Sequence, residues 1–140
     1  MTLDIRSIQD SFSLCTTYEE TYKKIIEWGH RLSPFRSDWK TTESLVKGCQ
    51  SIMYLHSEFK EGVIFFTAAS DALISAGLAA ILIEAYTNHS PEFVLTTPPD
   101  FLEELGIPAS LTPGRANGLA SLYLKMKQEA LKFSLSQRIE

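Results

Sequence analysis

The chain has 140 residues, a formal net charge of −4, 44% hydrophobic residues and 21% charged residues. That length lets one domain over residues 1–140 bury roughly 70% of its unfolded surface without a disulfide or a metal. The acidic balance argues against a nucleic-acid partner, which calls for a basic face, and the most apolar run, residues 72–83, falls short of the about 20 residues that cross a bilayer, so no membrane segment is expected.

Met1-Thr2-Leu3-Asp4-Ile5 lacks a basic stretch followed by an apolar core. No secretory leader is expected, and the cytoplasm is the expected location. Ile5, Ile8 and Phe12 recur at helical spacing. Thr17-Tyr18-Glu19-Glu20 reads as a capping box, the threonine oxygen meeting an orphan N–H and Glu20 reaching back. The helix that follows carries Tyr18, Tyr22, Ile25, Ile26, Gly29 and Leu32 on one stripe, with Pro34 just past its end. Residues 34–44 read as a loop pinned by Phe35 and Trp39.

From Gln50 to Ser57 the residues alternate as in a strand. Lys60-Glu61-Gly62 is a turn, and Val63 to Ala69 a second strand, predicting an antiparallel hairpin. Apolar residues on both faces of the second strand call for a helical cover. Ser70-Asp71 reads as the cap of a helix from Ala72 to Tyr86, apolar almost all round and therefore central. Asn88 ends it. Ser90 to Asp100, with three prolines, breaks regular structure. Phe101 to Leu105 forms one or two helical turns, and Thr112-Pro113 starts a last helix that runs to about Phe133. The fold class is α+β, a small antiparallel sheet packed with helices.

Two cysteines, Cys15 and Cys49, give no disulfide framework and no zinc spacing, so no metal site is expected. Cys49 follows Gly48 at the edge of the first strand, where a thiol is reachable and the glycine lets the backbone swing. Gln50 and Ser51 either line the thiol pocket or bond backbone at the strand start. Asp71 caps its helix or faces a partner. Arg115 supports a Cys49 thiolate, engages a partner or bonds loop carbonyls. His56 is seven residues from Cys49, an offset that on one continuous strand points the two to opposite faces and disfavours a Cys/His dyad. Cys15 reads as a small core residue.

Three stretches, in order, resemble the SufE family of sulfur acceptors: Val46-Lys47-Gly48-Cys49-Gln50-Ser51; Ser70-Asp71-Ala72-Leu73-Ile74 with Gly77-Leu78; and Leu111-Thr112-Pro113-Gly114-Arg115-Ala116-Asn117-Gly118-Leu119. The resemblance implies an IscU-like fold without the three cluster-ligating cysteines. It implies that Cys49 takes sulfane sulfur from the persulfide of a SufS-type cysteine desulfurase and passes it to a SufBCD-type scaffold for iron–sulfur cluster assembly. The chain then needs no cofactor, since PLP belongs to the desulfurase, and nothing prevents a homodimer. Gly48, Gln50, Ser51, Asp71 and Arg115 become candidate pocket or partner residues. Two alternatives stand beside this: a regulatory binding partner of a desulfurase that carries no sulfur, and a stand-alone cysteine-dependent transferase. Ser33, Ser44, Lys47, Tyr54 and Ala69 depart from the family pattern and bear on docking more than on the thiol.

Overall fold

The Glu61-Gly62 turn sets the register of the sheet. In the computed structural model of the chain, which describes residues 3–139, both residues have positive φ, 50° and 83°. That is the two-residue hairpin turn whose twist matches the flanking strands. Met1 and Thr2, at the head of the segment read for a leader, lie outside the described residues. The turn joins β1 (Met53–Lys60) to β2 (Val63–Ser70), paired from Lys60↔Val63 through to Met53↔Ser70. One face of the hairpin buries Met53, Leu55, Ile64, Phe66 and Ala68, while Phe65 on the other face stays exposed.

Among the described residues, six α-helices accompany this hairpin. α1 (Leu3–Phe12) and α2 (Tyr18–Gly29) precede it; α3 (Leu73–Tyr86), α4 (Pro91–Thr96), α5 (Phe101–Glu104) and α6 (Pro113–Ile139) follow, and of these α3 and α6 pack directly on it. α3 is the centre of the core, with ten of its residues buried. α2 packs along α3, and α1 lays Ile5, Ile8 and Phe12 into the same core. Gly77 is what lets α2 and α3 meet, because a Cβ there would overlap the Ile25 carbonyl. α6 closes the structure over α3, α4 and β1.

The cap at Thr17 forms as expected: its hydroxyl accepts from the Glu20 N–H at 3.1 Å. The Glu20 carboxylate accepts from the Thr16 and Thr17 hydroxyls, at 2.9 and 3.1 Å. Other boundaries differ from the sequence pattern. Tyr18 and Tyr22 are exposed, so the buried stripe of α2 is narrower than read. Residues 91–96 are helical rather than broken: Pro91 occupies the first turn, where its missing N–H costs nothing, and the Ser90 hydroxyl accepts from the Phe93 N–H. α6 runs to Ile139, past the apolar face that ended at Phe133.

The largest difference lies at the first strand, which begins at Met53 rather than Gln50. Residues 44–46 instead pair along the edge of β1, with the Val46 N–H donating to the Met53 carbonyl and the Leu55 N–H to the Ser44 carbonyl, both at 2.8 Å. On the opposite edge, Asn88 and His89 pair with Ile64. Asn88 sits just past the end of α3 with φ 61°, so it turns the chain back onto the sheet. Residues 47–52 are left as a loop that leaves the sheet edge at Val46 and returns at Met53.

Candidate functional site

Cys49 stands in that loop. Gly48 has φ 88°, a conformation that L side chains rarely adopt, and a Cβ there would also press on Ser121 Oγ of α6. The glycine therefore does two things: it turns the loop and lets it lie against α6. The far end of the loop is clamped to the end of β2. The Ile52 N–H donates to Asp71 Oδ1 at 3.1 Å, the Asp71 N–H donates to the Ile52 carbonyl at 3.2 Å, and the Ser70 hydroxyl donates to the same carbonyl at 3.0 Å. This corrects the reading of Asp71 as a helix cap. Its carboxylate holds the loop, and α3 starts from Ala72 without a side-chain cap.

The Cys49 thiol points inward. Its Sγ lies 3.8 Å from the Gly118 carbonyl, where even a Cβ on Gly118 would meet it only at ordinary contact distance. Sγ borders a cavity of about 10 Å³ walled by Met53, Leu78, Leu119 and Leu122, with Ser75, Arg115 and the small residues Gly114 and Gly118 at its margin. The space holds about one water-sized atom. Burial pushes the Cys49 thiol up from its ordinary pKa, and the Arg115 guanidinium opposes that rise.

Arg115 is brought there by the start of α6, where the Thr112 hydroxyl accepts from its N–H at 3.4 Å. Its Nη1 donates to Ser75 Oγ at 2.9 Å and to Ser51 Oγ at 3.2 Å, and the two hydroxyls bond each other at 2.7 Å. Ser51 thus bonds across to α3 and α6 rather than to the strand start. Gln50 is exposed and lies over Gly114. The structure brings Gly48, Cys49, Gln50, Ser51 and Arg115 into one place, with Asp71 at the loop's anchored end. It adds Ser75, which the sequence reading missed. The signal was there: Ser75 is a hydroxyl set among apolar neighbours on a buried helix, and such a group needs a partner.

His56 is not part of this site, but not for the reason strand parity supplied. Cys49 lies off the strand, so parity does not relate the two. His56 instead stacks on Trp39 with ring centroids 4.0 Å apart, and its Nε2 lies 3.4 Å from the Glu58 carboxylate. None of the three histidines lines the Cys49 cavity. Cys15 is half-buried against the core.

The sequence profile of the family described as SufE, Fe-S metabolism associated domain, matches residues 6–130. The chain belongs to the SufE family. A SufE-like protein of Synechocystis sp., itself named as uncharacterized, is 31% identical over 96% of this chain and 84% of its own length. SufE-like protein 1, chloroplastic/mitochondrial, of Arabidopsis thaliana is 34% identical over 79% of the chain, which spans 30% of that longer protein. The solution structure of a hypothetical protein from Thermus thermophilus superposes with a TM-score of 0.75 over 92% of this chain and 94% of that one, at 21% identity, which shows a shared fold. Association with iron–sulfur metabolism follows from the family. Among the described residues no group of three His, Cys, Asp or Glu could hold a metal, and no helix is long and apolar enough to cross a membrane.

Proposed function

We propose that this protein is a sulfur carrier for a cysteine desulfurase, with Cys49 as the working atom. The observation that carries the reading is the thiol turned into a one-atom cavity beside Arg115, on a loop hinged at Gly48. The Cys49 thiolate attacks the outer sulfur of the donor's cysteine persulfide. One S–S bond forms as the other breaks, the donor leaves as a thiolate, and no net oxidation occurs. The attack requires the loop to present the thiol outward, where it also loses the burial that holds it protonated. Turned back in, the outer sulfur of the persulfide fits the space beside Leu78, Leu119 and Leu122, away from water and soluble thiols. Arg115 faces the added negative charge.

The carrier needs no cofactor of its own, since the carbon–sulfur bond is broken on the desulfurase with its PLP. Docking falls to the anchored end of the loop, where Ile52, exposed at 54%, is bonded to Asp71, and to Leu73, exposed at 67%, at the start of α3. From Cys49 the sulfur goes on to an iron–sulfur scaffold of the SufBCD type.

The test mixes the protein with a SufS-type desulfurase and L-cysteine and takes an intact mass without reductant. A gain of one or more sulfur atoms, mapped to Cys49 and lost in Cys49→Ser, is the expected result; no gain under turnover overturns it. The exposed Ile52–Leu73 surface would serve a non-carrying regulator equally well. Under that reading Cys49→Ser still stimulates the desulfurase, whereas under the carrier reading it binds without stimulating.

A further inference from the structure

α6 differs in charge from the rest of the chain. It carries five of the 13 Lys and Arg residues and one of the 17 Asp and Glu residues, a basic element on an acidic protein. Leu119, Leu122, Met126 and Ala130 bury its inner side. Its outer side is not uniformly polar. Leu124, Gln128, Leu131 and Leu135 follow a four-three-four spacing, which sets them in one row along the helix. The three leucines are exposed by 53%, 50% and 50%. By the same helical spacing Lys125 and Lys132 flank the row on one side and Lys127 on the other.

Beside Leu124 the row opens into a groove of about 430 Å³ between α6 and residues 42–47. Leu45 and Leu124 supply its apolar surface, and Lys47 and Lys125 its cations, against a single carboxylate, Glu43. The Lys125 ammonium donates to the Glu43 carbonyl at 2.7 Å, which fixes one wall to the other. The groove shares no lining residue with the Cys49 cavity or with the hollow at Ile52 and Asp71.

We infer that this row and groove form a docking site for an acidic amphipathic helix of a partner protein. A leucine row with lysines on both sides takes a helix whose apolar face is bordered by carboxylates. A second copy of the same face would set Lys125, Lys127 and Lys132 against themselves. A lipid surface calls for a broad apolar face, whereas this row is one residue wide and ends in a concave groove. The inference stands on charge and shape, independently of the chemistry at Cys49.

The test uses the full chain and a fluorescein-labelled peptide of about three Glu/Leu heptads, followed by fluorescence anisotropy, with a scrambled peptide of equal charge as control. The expected result is saturable binding of the ordered peptide that weakens about tenfold or more in the double variant Leu124→Glu, Leu131→Glu, and that falls as salt shortens the Debye length from about 10 to about 3 Å. Both leucines are on the surface, so circular dichroism and the melting temperature stay as in the parent. Lys127→Glu, which leaves the row intact, weakens binding by a smaller factor and serves as the second variant. Equal binding of the scrambled peptide, undiminished binding by both variants, preference for phosphatidylserine vesicles over the peptide, or self-association through this face in sedimentation overturns the inference.

Discussion

Among the described residues, glycines admit close neighbours both where α2 meets α3 and around the thiol, and the two places are built in opposite ways. Where α2 meets α3, a Cβ on Gly77 would run into the Ile25 carbonyl, which is main chain inside a helix and has nowhere to go. Around the thiol, the same added atom would meet side chains: Gln50 at Gly114, Ser121 at Gly48, and Cys49 at ordinary contact distance at Gly118. One contact fixes the scaffold and the other leaves room for movement. The carrier proposed above, whose thiol changes position, needs both, a frame that does not yield and a boundary that does.

Three substitutions sharpen that contrast. Gly77→Ala has the largest expected effect: with backbone on both sides, relief requires the helices to separate, at about 3 kcal/mol or more. Chemical denaturation measures it, and a cost below about 1 kcal/mol would mean that α2 and α3 are less tightly fixed than described. Arg115→Gln comes next and reads on the thiol. Removing the cation leaves burial unopposed, so the Cys49 pKa rises further and the midpoint of its alkylation by iodoacetamide moves to higher pH. An unchanged or lower midpoint would show that the guanidinium serves only Ser51 and Ser75. Gly114→Ala has the smallest effect. Gln50 is exposed and its amide can swing aside, so stability stays within about 1 kcal/mol of the parent, with the gain in helix propensity offsetting the crowding. A large loss there would mean that the thiol's boundary is as rigid as the helix pair.

Much of the frame was legible in the sequence because local chemistry determined it. The Thr17 cap, the Glu61-Gly62 turn, the apolar run of α3 and the Thr112-Pro113 start each follow from a few neighbouring residues. What was not legible depended on residues distant in the chain. Gln50 to Ile52 alternate like a strand, yet Ile52 directs its hydrogen bonds to Ser70 and Asp71, and the true edge partner of β1 is the segment at residues 44–46. Asp71 looked like a cap because carboxylates favour helix starts; its actual partner lies 19 residues away. Local sequence left Arg115 open between the thiol, a partner and the loop carbonyls, and the hydroxyl that ties it to the Cys49 stretch, Ser75, emerges only when α3 is laid beneath the loop.

The edge pairing of residues 44–46 also limits how another chain can approach. An extended segment often recognises a sheet by adding a strand to its open edge, main chain to main chain. Beside Cys49 that edge is already taken, since the Ser44 carbonyl bonds the Leu55 amide and the Val46 amide bonds the Met53 carbonyl. A chain that approaches this edge beside Cys49 therefore meets side chains rather than open main chain. Lys47 and Ile52 are exposed at the two ends of the Cys49 loop, where substitution can alter the side chain without disturbing the sheet.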